Sequence, residues 1–256
     1  MNVVEKGSGP PVVLLHGFGA ASSTWRHQLD PLATEFLVVA PDLPGFGDSL
    51  PLEEPDAISY ATALSRYFER RGLDDILLVG WSMGGVILLA YCEYFGSERL
   101  GGIGIVDVAP RARPAPDWPV ADFGASVDRW LEQWPRGREP VFRELAELAF
   151  AEPRRHRLEI EWLVDDALRA DPAAALGAFT SLLECDFRET LPRIDVPSLL
   201  LFGGRSRSTT PEVRSFMASS LRNGRLTVFE HCGHALMLEA PEQFTATVRE
   251  FARSLP

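Results

Sequence analysis

Seven short apolar runs recur along the chain, and most of the segments between them have the length and patterning of helices. The runs are Asn2 to Glu5, Val12 to Leu15, Phe36 to Ala40, Ile76 to Gly80, Gly102 to Asp107, Ser198 to Phe202 and Leu226 to Glu230. In most of them Val, Ile and Leu follow one another instead of alternating with polar residues. A run of that kind has no wet face, so it fits a strand covered on both sides in a parallel sheet. Helical patterns over Asp56 to Arg71, Met83 to Phe95, Pro211 to Leu221 and Pro241 to Leu255 supply the cover. The alternation predicts an α/β fold built on a doubly wound, mostly parallel sheet of seven strands. A closed eight-strand barrel would need a strand in every interval, and the stretch 111–190 offers none.

That stretch is also a compositional break. It opens on Pro110, Pro114, Pro116 and Pro119 and continues with charged, aromatic-studded helical patterns over Phe123 to Trp134, Glu139 to Ala151, Pro153 to Arg169 and Pro172 to Glu184. We read 111–190 as a helical cap inserted after the strand ending at Asp107, with 1–110 and 191–256 forming the sheet domain. Trp130, Trp134, Leu145, Leu148, Trp162 and Phe179 fall on the apolar faces of these helices, where packing against the sheet domain explains most of them and a subset must line any cleft between the two parts. A chain of 256 residues that is 46% hydrophobic can bury cores of this size.

Charge narrows the partners. The 36 acidic residues outweigh 25 basic ones, for a net charge of −11, so the overall field repels phosphate backbones and anionic lipid. Nucleic acid and membrane surfaces are excluded on that ground. Within 111–190 the balance is 11 arginines against 16 acids, which makes no basic docking face, although Arg154, Arg155 and Arg157 could locally meet an acidic carrier protein. Cys92, Cys185 and Cys232 are too few and scattered for a disulfide framework. No leader-like segment or long apolar span is present, so the expected location is the cytoplasm.

The strongest chemical signal is Gly80-Trp81-Ser82-Met83-Gly84-Gly85, a G-x-S-x-G directly after one apolar run and directly before a helical pattern. A serine there must sit on a sharp strand-to-helix turn, flanked by glycines because a Cβ would collide with neighbouring chain. Its hydroxyl then stands at the carboxyl edge of the sheet, and the helix beginning at Met83 aims free N–H groups at the place where an oxyanion would form. A phosphate cradle is the competing reading of such a turn, but the chain has no G-x-x-x-x-G-K-[ST]. Pro44-Gly45-Phe46-Gly47 fails as a dinucleotide site, because no third glycine opens a helix there.

Two further segments fit a nucleophilic serine. In Leu14-Leu15-His16-Gly17-Phe18-Gly19 the glycines let backbone approach a ligand, and Phe18 N–H paired with Met83 N–H would complete a two-donor oxyanion hole. His16 beside that turn reads as structural, holding the loop. The base must come from far along the chain, and Glu230-His231-Cys232-Gly233-His234 is the one late segment with histidine at a strand's carboxyl end. His234, behind Gly233, is the first choice and His231 the second, with a metal site from His231, Cys232 and His234 third. His27 and His156 lie in helical patterns without motif context and read as surface residues.

Together HGFG at His16 to Gly19, the segment Ala40 to Ser49, GWSMGG at Gly80 to Gly85 and Gly233-His234 resemble the α/β-hydrolase superfamily nearly end to end. Within it the chain is similar to the small carboxylesterases typified by the pimeloyl-carrier-protein methyl esterase. The resemblance implies that Asp42 and Asp48 shape a loop below the site and are not catalytic. It also exposes a departure: the family's acid usually follows the strand before the last, and Ser206 stands in that place. A hydroxyl cannot supply the charge that orients and stabilises an imidazolium, a loss on the order of 10⁴ in rate. Some relatives, haloalkane dehalogenases among them, carry the acid one strand after the nucleophile helix, and that position is Asp107. Asp107 is therefore the expected acid, with a Ser-His dyad or a carboxylate such as Glu212 as alternatives.

The expected activity is a cofactor-independent, metal-free serine hydrolase cleaving a carboxylic ester, a thioester or a lactone through an acyl-enzyme, with Ser82, His234 and Asp107 as the triad and Phe18 and Met83 as oxyanion donors. Its substrate is a small acyl compound, free or borne on a carrier protein, and the protein is a monomer or dimer. Two other classes stay open: a cofactor-free lyase, C–C hydrolase or synthase on the same scaffold, and a small-molecule binding protein that has lost turnover.

Overall fold

The computed structural model describes residues 1–118 and 122–256. Pro119, one of the four prolines that mark the compositional break, lies outside the described residues. The strands are β1 (Val3–Lys6), β2 (Pro11–Leu15), β3 (Leu37–Pro41), β4 (Ile76–Trp81), β5 (Leu100–Val106), β6 (Ser198–Gly203) and β7 (Gly224–Phe229). They form one sheet in the order β1-β3-β2-β4-β5-β6-β7, in which β1 runs antiparallel to β3 and every other pair is parallel. The doubly wound, mostly parallel sheet expected from the apolar runs is the sheet observed.

The helices are α1 (Arg26–Ala33), α2 (Ala57–Arg71), α3 (Met83–Phe95), α4 (Asp122–Gln133), α5 (Arg138–Leu148), α6 (Arg157–Arg169), α7 (Pro172–Leu183), α8 (Pro211–Ser220), α9 (Leu236–Glu239) and α10 (Pro241–Ser254). Alternate residues of the inner strands enter different cores, as the pleat requires. Val13, Leu15, Ile76, Leu78, Leu200 and Phe202 pack with residues of α2, α3 and α8. Val12, Leu14, Leu77, Val79, Leu199 and Leu201 pack with residues of α1 and α10. Both faces of the inner strands are thus dry, which is why these strands read as continuous apolar runs, while the edge strands β1 and β7 keep exposed residues.

α1 carries the helical pattern around His27 despite Pro31, and α9, a single turn, is absent from the helices expected from the sequence. The pattern over Pro153 to Arg169 is interrupted, since Pro153–Arg155 forms a 3₁₀ turn and α6 starts only after His156. His156 is accordingly no surface helical residue: it is half-buried before α6 with its ring stacked on Phe150 at 4.7 Å. His27 is exposed on α1, as expected. Between β5 and β6 the chain carries α4 to α7, and the two ends of this excursion meet: Phe187 N–H donates to Pro110 O at 2.9 Å and Arg111 pairs with Asp186 at 2.7 Å.

Candidate active site

Trp81 at the end of β4 pairs in register with Val106 at the end of β5. The next residues, Ser82 and Asp107, therefore leave the sheet side by side at its carboxyl edge. Both adopt left-handed backbone, with φ of 53° at Ser82 and 45° at Asp107. For a residue with a side chain this costs about 1–3 kcal/mol, and it persists only where the surroundings dictate it. Here the ladder does so: Ser82 N–H donates to Val106 O at 3.1 Å, and Asp107 N–H donates to Leu201 O of β6 at 2.8 Å.

The glycines flanking Ser82 have steric reasons. A Cβ on Gly80 would lie 2.3 Å from Gly84 O, and one on Gly84 would lie 2.4 Å from Leu15 O. Without side chains, α3 starts directly over the end of β2. Met83 is its first residue, so its N–H has no acceptor inside the helix. Phe18 sits in the turn closed by Ala20 N–H on Gly17 O, and Phe18, Ser82, Met83, Asp107 and His234 all line one cavity. Ser82 is half-buried at that cavity and not fully exposed at the sheet edge.

His234 arrives on the loop after β7. Trp81 Nε1–H donates to His234 O at 2.9 Å, and the two rings lie 5.3 Å apart. The Glu239 carboxylate accepts from Gly233 N–H at 2.6 Å and from Ala151 N–H at 3.0 Å, fastening the loop to the segment after α5. His234 Nδ1 lies 3.2 Å from Asp107 Oδ2, and Thr209 Oγ1 donates to Asp107 Oδ1 at 2.7 Å. A carboxylate only accepts, so Nδ1 carries the proton and Nε2 is the basic nitrogen.

The remaining sequence candidates fall elsewhere. His231 is exposed and does not line this cavity. Among the described residues no group of three or more His, Cys, Asp or Glu could hold a metal ion, so His231, Cys232 and His234 form no metal centre. Ser206 spends its hydroxyl on Ser208 N–H at 3.0 Å, within its own turn. Glu212 is exposed on the first turn of α8, away from the cavity lining. His16 is fully buried, with Nδ1 on Gly17 O at 2.8 Å and Nε2 accepting from Leu43 N–H at 2.9 Å, and burial pushes its pKa down to about 4. It is a neutral loop clamp. Burial raises the pKa of Asp42, but donors from Asp48 N–H, Asn2 and Ser22 outweigh it and hold the carboxyl below its ordinary value. Its three hydrogen bonds tie the loop together.

Sequence reasoning missed Thr209, Arg214, Trp81 and Glu239. Trp81 lies inside the glycine-flanked motif, but nothing in the sequence says that its indole reaches a residue 153 positions away. The apolar wall includes Phe142, Leu145 and Leu148 of α5 and Phe179 and Leu182 of α7, and Phe18 packs 4.9 Å from Phe179 and 5.8 Å from Phe142. Cys185 also lines it, but burial pushes that thiol up to about 11, so at neutral pH it is no rival nucleophile. Among the described residues of the wall, the guanidinium of Arg111 is held by Asp186 and by Arg113 O.

Residues 12–247 match the model of the alpha/beta hydrolase family. The chain is 26% identical over 249 residues to the pimeloyl-[acyl-carrier protein] methyl ester esterase of Nitrosomonas europaea, covering 96% of this chain and 97% of that one. It is 29% identical over 245 residues to the enzyme of the same name from Chromobacterium violaceum, covering 95% and 94%. Among solved structures it resembles the esterase EaEST of Exiguobacterium antarcticum with a TM-score of 0.92 at 26% identity, over 98% of this chain and 95% of that one. A thermophilic esterase of Thermogutta terrifontis matches with a TM-score of 0.86 at 28% identity, over 98% and 92%.

Proposed function

The chain belongs to the alpha/beta hydrolase family, and from that premise we propose that it is a serine esterase acting on esters of apolar carboxylic acids. One observation carries the reading: a buried carboxylate, Asp107, meets the Nδ1 side of His234 at the same cavity that holds the strained Ser82. Relatives named as esterases support ester cleavage as the reaction. The stretch 111–190 serves as the cap, and α5 and α7 bring the apolar side chains that receive the acyl chain.

Each step uses a group already described. Ser82 Oγ attacks the carbonyl carbon while His234 Nε2 takes its proton. The carbonyl oxygen becomes an oxyanion held by the N–H groups of Phe18 and Met83, each such donor being worth about 3 kcal/mol in the transition state. Asp107 stabilises the imidazolium without taking its proton. The carbon–oxygen bond to the leaving group breaks as His234 returns the proton to the departing alkoxide. Water, deprotonated by His234, then attacks the acyl-serine and releases the acid and the free enzyme.

The test is a set of p-nitrophenyl acyl esters, acyl thioesters and lactones run against the wild type and Ser82→Ala, with fluorophosphonate labelling in parallel. The expected outcome is labelling at Ser82 and turnover that drops to background in the variant. Turnover retained in Ser82→Ala overturns the serine mechanism, and a folded wild type that neither labels nor turns over any ester overturns the enzymatic reading.

A further inference from the structure

Asp107 has two carboxylate oxygens, and His234 occupies one of them. The other, Oδ1, receives the hydroxyl of Thr209 at 2.7 Å. That hydroxyl has a second neighbour: Arg214 Nε lies 3.3 Å from Thr209 Oγ1, and Arg214 Nη2 lies 3.1 Å from Thr209 O. A guanidinium N–H can only donate, so the Thr209 oxygen accepts from Arg214 and its single proton must go to Asp107. The chain of hydrogen bonds is therefore directional, from Arg214 through Thr209 to Asp107.

Every member of it is buried. Exposure is 0% for Asp107, 2% for Thr209, 8% for Arg214 and 9% for His234. Burying an arginine is costly unless nearby negative charge and hydrogen bonds compensate. The compensation here is the Asp107 carboxylate one hydroxyl away, and the guanidinium also lies 5.9 Å from the Phe202 ring centroid. The elements involved explain why the device sits where it does. Thr209 and Arg214 bracket the start of α8, whose first turn is capped by the neighbouring Thr210 accepting from Val213 N–H. This is the segment after β6, where Ser206 stands in place of a carboxylate.

We infer that Thr209, held by Arg214, is a positioning residue that fixes the Asp107 carboxylate for His234, so that the segment after β6 supplies a hydroxyl donor to an acid carried on β5. The inference rests on the triad reading above. Its physical content is twofold. Donation into Oδ1 pins the carboxylate rotamer, leaving Oδ2 aimed at Nδ1, and it draws charge away from Oδ2, which moderates the basicity of His234.

The experiment compares wild type, Thr209→Val and Thr209→Ser in two readouts: titration of the His234 ring by NMR, which needs no turnover, and steady-state kinetics with a p-nitrophenyl ester. In Thr209→Val the His234 midpoint should move up and kcat should fall about 10-fold at unchanged KM. Thr209→Ser, which keeps the donor, should restore both. A His234 midpoint that does not move in a folded Thr209→Val overturns the inference whatever the kinetics do. A loss of kcat that Ser does not restore also overturns it, since that marks a packing role for the Thr methyl. Failure of Ser82 to label, with the midpoint shift intact, would sink the esterase reading and leave the positioning of Asp107 standing.

Discussion

Asp107 sits at zero exposure in a left-handed conformation that few side chains tolerate, and it holds both a histidine and a hydroxyl. On the proposed mechanism its contribution is charge more than shape. Asp107→Asn keeps the shape, removes the charge and lets the amide favour the wrong imidazole tautomer, so kcat should fall by roughly 10² to 10⁴ with KM little changed. Full kcat in that variant would remove Asp107 as the acid and assign the site to a Ser-His dyad or to another carboxylate. Ser206→Ala, which removes only a turn hydrogen bond, should leave kcat within about 2-fold. His16 gives the pH prediction. Its pKa is about 4 in the fold against 6.5 when exposed, so between those values the unfolded chain binds a proton that the folded chain refuses. Stability from this group is fully present above pH 6.5 and is lost as pH falls toward 4, by up to about 3 kcal/mol. Urea unfolding of wild type and His16→Asn across that range checks it: the variant should be less stable at pH 7 and show a flatter dependence. Equal slopes would remove His16 as the titrating group.

At the scale of elements, four helices shape the cavity and the loop that carries its histidine. The α3 amino terminus seats on the end of β2 because Gly80 and Gly84 have no Cβ, and this one packing event sets Ser82 and Met83 together. α5 and α7 close the wall with aromatic rings, among them Phe142 and Phe179, each worth about 2–3 kcal/mol when fully buried. α9 fastens the loop that carries His234, since Glu239 takes one N–H from Gly233 and one from Ala151. Burial pushes the Glu239 carboxyl up, and the two N–H donors pull it partly back. Glu239→Gln leaves one of these N–H groups facing an amide donor. We expect it to cost about 1–3 kcal/mol of stability and about 5-fold in kcat, read from urea unfolding and steady-state kinetics. A variant indistinguishable from wild type in both would show that the loop is held by its backbone bonds alone, such as Ala235 N–H on Ala149 O at 2.8 Å.

At the scale of the whole molecule, one sheet separates two cores, and Ser82, Asp107 and His234 gather at one cavity along its carboxyl edge. Among the described residues no helix is long and apolar enough to cross a membrane. The sheet and most of its helices were legible in the chain because burial on both faces writes itself as unbroken runs of Val, Ile and Leu, a one-dimensional record of a local condition. Ser82 was legible for the same kind of reason: a strained turn between strand and helix demands glycines at fixed offsets, and offsets along a chain are visible. Asp107 could be nominated because it ends a strand whose place beside β4 follows from the winding of the sheet. Its partners could not. Thr209, Arg214, Trp81 and Glu239 act across separations of 5 to 153 residues in contacts that depend on side-chain rotamers and on how three loops pack, and no spacing rule encodes them. The sequence by itself determined the layered sheet, the strained serine turn and the histidine loop, since each follows from backbone sterics or from periodic burial. The tertiary structure alone decided that His234 and not His231 faces the cavity, and that Asp107 is its partner with Ser206 turned into its own loop, because hydrogen bonding between distant segments is settled only when those segments are packed.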